Sequence, residues 1–179
     1  MFEKNAQRVT VVIGAYGKPL ALEKTLNSFV AQENKDLQVL IIDDNCPSNP
    51  STIKKTVEIV NQFSSKLNLR YIKNRARVGV PDVFKKWIDQ IDTEFFMIYG
   101  DGDEILPEAL TKLIKALYEN PQAAFAHGKQ AKYKKDLCQS SGKISIIDSK
   151  KYLKSTLVGG PHAWSQMACL IRTELFKLK

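Results

Sequence analysis

The sequence predicts an α/β fold, a mostly parallel sheet flanked by helices, and three observations carry that prediction. Across the first 127 residues, short β-branched runs alternate with stretches of helical periodicity. Two of the runs, VTVVIGAY and LQVLIIDD, are apolar at successive positions, as strands buried on both faces must be. Strand after strand closes on a polar turn, where open α/β sheets hold their ligands.

The elements follow in order. Val9 to Tyr16 is the first strand. Pro19 then suits a first helical position, and Leu22, Leu26, Phe29 and Val30 fall on one face of the helix it opens. Leu37 to Asp44 is the second strand. Asn49 and Pro50 provide a cap and first turn for a helix whose stripe reads Ile53, Val57, Val60 and Phe63. Leu69 to Lys73 is a third strand. Beyond a turn at Val78 to Pro81, a short helix carries Phe84, Trp87, Ile88 and Ile91, with Trp87 a core residue by its spacing.

The strand Glu94 to Asp101 follows, and Pro107 opens a helix with Leu110, Leu113, Ile114, Leu117 and Tyr118 inward, ending near Asn120 and Pro121. Ala123 to His127 is a further strand, with His127 at its edge. After Gly128 the regular alternation stops. A strand is expected at Ile144 to Ile147 and another at Met167 to Arg172, running into TELFK.

Composition excludes several classes. The 179 residues are 44% hydrophobic and 26% charged, in the range of folded globular proteins rather than disordered or collagenous ones. Cys46, Cys138 and Cys169 are odd in number and far apart, which fits neither a disulfide framework nor a zinc site. No apolar run approaches the ~18 residues of a membrane span, and the N-terminus has no signal-peptide core, so a cytoplasmic location is expected.

Lys and Arg number 27 against 19 Asp and Glu, a formal net charge of +8. Eight lysines against two aspartates lie between Lys129 and Lys154. That stretch would attract phosphates or an anionic lipid surface, and offers a peripheral contact at the inner face of the cell membrane. Aromatic residues do not alternate with these lysines to stack on bases, so no nucleic-acid partner is expected.

Chemistry is expected at three strand ends: Gly14-Ala15-Tyr16, Asp43-Asp44 and Asp101-Gly102-Asp103-Glu104. Five carboxylates would then converge on one rim, where repulsion raises the free energy unless a cation sits among them. Hard oxygen ligands suit Mg²⁺ or Mn²⁺ rather than zinc. Asp43 reads as a structural strand-end cap.

Two phosphate motifs are excluded. Val12 stands where a P-loop needs its first glycine and Pro19 where it needs Ser or Thr. GDGDE lacks the last glycine of G-x-G-x-x-G because position 105 is Ile.

Taken in order, VTVVIGAY, LQVLIIDDN, the N-x4-G of Asn74 to Gly79 and FFMIYGDGDEILPEAL resemble the nucleotide-binding half of family 2 glycosyltransferases with the GT-A fold. The likeness covers residues 8 to 127, and MACLIRTELF looks like the strand after that family's acceptor loop. The resemblance implies a Rossmann-like, mostly parallel sheet flanked by helices, in one domain over 1–179. Residues 1–127 would be the nucleotide-sugar-binding half and 128–179 the start of an acceptor-binding half, with the C-terminal part incomplete.

It implies a nucleoside diphosphate sugar donor, usually UDP-linked, a saccharide or lipid-linked saccharide acceptor, and Mn²⁺ or Mg²⁺. The reaction would be a metal-dependent, inverting transfer to a hydroxyl, in surface polysaccharide synthesis. By the same resemblance Gly14 and Tyr16 line the base pocket, and Asp44 accepts a hydrogen bond from the base. Arg75 and Arg77 pass near the diphosphate. Asp103 binds the metal and Asp101 the ribose or the metal shell, while Gly102 lets the backbone approach the sugar. His162 and Trp164, in GGPHAWS, look like acceptor-facing residues.

Two departures stand out. Ile105-Leu106-Pro107 is one residue shorter than the family's commonest spacing, which would bring the next helix closer to the metal. An inverting transfer needs a carboxylate base, and neither Asp148 nor Glu174 matches the family's position, so no catalytic residue is assigned. Three alternatives follow: a donor-binding fragment without turnover, a haloacid dehalogenase-like phosphatase, and a receiver-type Mg²⁺-binding signalling domain. The phosphatase would want its D-x-D on the first strand, and the receiver its acidic pair there.

Overall fold

The computed structural model describes residues 7–45, 50–79, 82, 87–88, 90–128, 146–148, 150–151 and 169–176. Six strands form one sheet in the order β3-β2-β1-β4-β6-β5. They are β1 (Val9–Ala15), β2 (Leu37–Asp43), β3 (Asn68–Lys73), β4 (Phe95–Gly100), β5 (Phe125–His127) and β6 (Cys169–Arg172). Among the described residues, three α-helices with both ends defined accompany them: α1 (Pro19–Val30), α2 (Pro50–Phe63) and α3 (Ala109–Glu119). A 3₁₀ turn, Thr173–Phe176, follows β6.

β1 lies between β2 and β4 and runs parallel to both, from Val9 opposite Leu37 and Phe95 up to Gly14 opposite Ile42 and Gly100. β6 enters antiparallel between β4 and β5. The sheet is therefore mixed, parallel on one side of β4 and antiparallel on the other.

Strand alternation divides the core into two faces. Val9, Val11, Ile13 and Ala15 of β1 pack with Leu22, Leu26 and Phe29 of α1, Ile59 and Phe63 of α2, and Leu110, Ile114 and Leu117 of α3. Phe29 meets Tyr99 edge-on at 5.0 Å between ring centroids. Val12, Leu40, Ile42, Phe96, Cys169 and Ile171 face the other side, where Trp87 and Ile91 cover them. Trp87 is thus a core residue, as its spacing suggests.

Near the start of the strands this second face turns polar. Buried Thr10 is joined to Thr93 through their hydroxyls at 2.7 Å, and Gln38 Nε2 donates to Thr10 Oγ1 at 2.9 Å. The buried hydroxyls are thereby satisfied.

Several expected details differ. The inward stripe of α2 is Thr56, Ile59, Val60 and Phe63, while Val57 is exposed and Ile53 sits at the margin. The stripe keeps Val60 and Phe63 and takes Thr56 and Ile59 in place of Ile53 and Val57, with the buried Thr56 hydroxyl satisfied by Thr52 O at 3.0 Å.

Tyr118 is not inward but 46% exposed. Its ring edge meets Phe95 at 5.7 Å, and its hydroxyl donates to Glu94 at 2.5 Å, an amphipathic position suited to a phenol. The last of the three helices opens at Ala109, two residues beyond Pro107, which lies in the preceding turn. Ile146 and Ile147 are irregular rather than strand, and Ile146 is exposed. Asn49, Cys46, Phe84, Cys138, Met167 and nearly all of Lys129–Lys154 lie outside the described residues.

Replacing Phe29 by Ala should leave a cavity between α1 and β4 that costs about 3–5 kcal/mol. Urea unfolding should then show a lower midpoint with an unchanged m value. A wild-type midpoint would mean that this contact does not hold α1 to the sheet.

Candidate functional site at the β1–β4 strand ends

Chain order reverses at β1: β2 and β3 lie to one side of it, β4 and the later strands to the other. Such a switch point opens a crevice at the strand carboxyl ends. The last two carbonyls of β1 anchor both of its walls. Gly14 O accepts from Asp101 N at 3.2 Å, and Ala15 O accepts from Asp44 N at 3.1 Å. Tyr16 follows the last residue of β1, and its N–H donates to Asp101 Oδ2 at 3.0 Å.

Asp44 is 8% exposed, and its carboxylate organises the loop that follows β3. Oδ1 accepts from Asn74 Nδ2 and Val78 N, each at 2.9 Å, and Oδ2 accepts from Gly79 N at 2.9 Å. Burial opposes the charged form. The bonds from Val78, Asn74 and Gly79, with the nearby charge of Arg77, outweigh it and hold Asp44 below the usual carboxylate range. Gly79 turns at φ +83°, a conformation suited to glycine.

The loop places Arg77 over the ring of Tyr16, with Cζ 4.9 Å from its centroid. Arg75 contributes its carbonyl, which accepts from Asn45 Nδ2 at 2.9 Å, while its side chain is exposed. Asp43 is structural: it accepts from the Tyr71 hydroxyl at 2.6 Å and from Asn45 N at 2.9 Å.

On the β4 side, Asp101 is half-buried. Burial raises its carboxyl above the usual range, against the lowering effects of Tyr16 N–H and Lys18; the charge of Asp103 adds to the rise. Lys18 Nζ stands 3.9 Å from Asp101 Oδ1. Asp103 Oδ2 accepts from Gly100 N at 3.2 Å. Between the two acids Gly102 has φ +106°, and a Cβ there would meet Ala21 Cβ at 3.5 Å. The backbone angle, rather than space, requires glycine at this position.

The strand ends bring Asp43, Asp44, Asp101 and Asp103 to one rim without gathering them into a single cluster. Among the described residues no three His, Cys, Asp or Glu side chains are grouped closely enough to bind a metal. The physical reason is that Asp43 and Asp44 spend their oxygens on Tyr71 and on backbone donors, so their charge is compensated without a cation. The donor set of Asp101 and Asp103 still fits a hard divalent ion shared with phosphate oxygens, which need only a few protein ligands.

Tyr16, Asp44, Arg77, Asp101 and Gly102 are thus linked around one strand end, together with Gly14 beneath them. Lys18 and Asn74 belong to the same set, although the sequence marks them only as the lysine before a helix-opening proline and as the first residue of N-x4-G. His162 and Trp164 lie outside the described residues. Of the two acids weighed as a base, Glu174 is exposed on the 3₁₀ turn, and Asp148 accepts from Lys150 N at 3.0 Å.

A mixed α/β sheet with an acidic turn at this switch point defines a GT-A-type domain, and the comparisons agree. The sequence matches glycosyl transferase family 2 over residues 10–177, and the chain belongs to that family. It is 24% identical over 121 residues to the GalNAc(5)-diNAcBac-PP-undecaprenol beta-1,3-glucosyltransferase of Campylobacter jejuni, covering 67% of this chain and 38% of that protein.

The fold is similar to that of S. aureus TarS 1-349, with a TM-score of 0.69 at 20% identity over 95% of this chain and 48% of that one. TarS in complex with UDP-GlcNAc superimposes with a TM-score of 0.67 at 19% identity, covering 95% and 46%. The mannosyltransferase PcManGT of Pyrobaculum calidifontis, in complex with GDP-Man and Mn²⁺, gives 0.59 at 17% identity, covering 71% and 37%. The chain therefore spans less than half the length of these relatives. Among the described residues no helix is long and apolar enough to cross a membrane.

Asp44 yields a pH prediction. Its pKa in the folded chain lies below the ordinary ~3.9, so its contribution to stability is complete above that value and is lost as pH falls through the folded one. Asp44→Asn should lose about 1–3 kcal/mol near neutrality, because Gly79 N loses its acceptor. Between pH 5 and 3 its stability should fall less steeply than that of the wild type. Parallel acid limbs in denaturant titrations would contradict this role.

Proposed function

We propose that the chain binds a nucleoside diphosphate sugar, usually UDP-linked, and transfers the sugar to a hydroxyl of a saccharide or lipid-linked saccharide acceptor. The transfer is metal-dependent and inverting, and serves surface glycan synthesis. The observation that carries the reading is the bond from Tyr16 N–H to Asp101, which joins an aromatic platform to an acidic turn at the switch point of the sheet.

In this reading the Tyr16 ring offers a face to the base, and Gly14 leaves the strand end free of a side chain. Asp44 holds the 74–79 loop in place and presents the remaining lone pair of Oδ2 to the base N–H. Arg75 and Arg77 bring positive charge toward the diphosphate. Asp101 and Asp103 hold Mn²⁺ or Mg²⁺, with Gly102 allowing close approach of the backbone. The ion, when bound, supplies Lewis-acid stabilisation of the diphosphate charge as the bond from anomeric carbon to phosphate oxygen breaks.

The acceptor oxygen forms the new bond and its proton must go to a base; no described residue is assigned that part. Residues 1–127 act as the donor-binding half and 128–179 contribute toward the acceptor, including His162 and Trp164. The Lys129–Lys154 stretch faces anionic lipid where the acceptor is lipid-linked. Support comes from the family membership and from relatives whose names specify a lipid-linked saccharide and nucleotide sugars.

Calorimetric titration with a panel of nucleoside diphosphates, with and without Mn²⁺, tests this reading. One nucleotide should bind in preference, and more tightly with Mn²⁺. Asp103→Ala should abolish the metal-dependent increment and keep the metal-free affinity. An undiminished increment would overturn the role of Asp103. Phosphate release from monoesters, or labelling by acetyl phosphate in place of nucleotide binding, would favour the phosphatase or receiver alternatives.

A further inference from the structure

α1 and the turn just past its end carry two buried stripes of different character. Leu22, Leu26 and Phe29 enter the core, while Thr25, Ser28 and Gln32, spaced by three and four residues, form a buried polar row beside them. Thr25 is 0%, Ser28 8% and Gln32 1% exposed. Polar side chains at such depth need partners, and every one of them reaches the irregular segment between β4 and α3.

Thr25 Oγ1 accepts from Gly102 N at 2.9 Å, and its own proton faces the carbonyls of Gly100 and Ala21, each at 3.4 Å. Ser28 Oγ accepts from Ile105 N at 3.2 Å and donates to Thr25 O at 2.7 Å. Gln32 donates to Leu106 O at 2.8 Å and accepts from Leu110 N at 3.2 Å. One side of α1, continued by Gln32 just past its end, thus satisfies backbone groups of the acidic turn and of the chain leading into α3.

We propose that Thr25 is a positioning residue for the metal-facing pair, setting the separation of Asp101 and Asp103 by pinning the N–H of the glycine between them. Ser28 and Gln32 continue the same template along the segment that leaves the turn. The inference rests on the reading of Asp101 and Asp103 given under Proposed function. It goes beyond that reading by assigning the turn's geometry to a hydroxyl on another element that touches neither metal nor nucleotide. Gly102, at φ +106°, has no side chain to hold it and leans on this bond.

The test uses the full 179-residue chain, following the free Mn²⁺ signal by electron paramagnetic resonance with UDP present. Removing an outer hydrogen-bond partner of ligating groups typically costs about 10–100-fold in metal affinity. Thr25→Val, which keeps the shape and loses the hydroxyl, should weaken Mn²⁺ binding by about tenfold or more. Its UDP affinity in EDTA should be unchanged, and Thr25→Ser should restore Mn²⁺ binding.

Wild-type Mn²⁺ affinity in Thr25→Val overturns the proposal, and so does a Thr25→Ser as weak as Thr25→Val. Should Thr25→Val not fold, Ser28→Ala reads the neighbouring bond to Ile105 N, and an unchanged Mn²⁺ affinity there also overturns it. If wild-type protein binds no Mn²⁺ with UDP, the functional reading beneath the proposal fails, a result distinct from the variant outcomes.

Discussion

The site depends on two backbone carbonyls at the end of the central strand. Gly14 O and Ala15 O hold the first N–H beyond β4 and the first beyond β2, so both acidic turns spring from the same level of the sheet. Parallel pairing on both sides of β1 transmits that level across three strands. A rigid ladder ending at one height gives the loops a fixed origin, which is the usual way a scaffold positions binding residues.

Charge at this rim is settled group by group. Asp43 accepts from a phenol and a backbone N–H, and Asp44 from an amide side chain and two backbone N–H groups, whereas at Asp101 burial outweighs the help of Tyr16 N–H and of Lys18 at longer range. Asp44 is therefore held in its charged form by the protein's own donors.

The polar row of α1 completes the picture from below. Irregular chain beside a core must find partners for its N–H and C=O groups, and Thr25, Ser28 and Gln32 supply them. A helix whose apolar stripe anchors it to the sheet is a firmer template than a loop bonded only to itself. The acidic turn is accordingly held between two regular elements, β4 by continuity and α1 by hydrogen bonds.

Alternation and punctuation made most of the fold legible in the amino-acid order. The runs of β1, β2 and β4, the prolines at positions 19 and 50, and the acids closing the strands all mark local chemistry that neighbouring residues alone enforce. Family membership followed from the order of those motifs. The structural part of Asp43 was legible, but the partners of each acid were not, because hydrogen bonds between residues 28 to 85 positions apart decide them: Tyr71 with Asp43, Gly79 with Asp44, Tyr16 with Asp101. The rotation of the α2 stripe and the outward place of Tyr118 were likewise tertiary outcomes. Local pattern determined where strands, helices and charged turns lie; only the approach of β3, the 74–79 loop and Tyr16 decided which of those charges remain available, since availability depends on partners brought close in space and not in sequence.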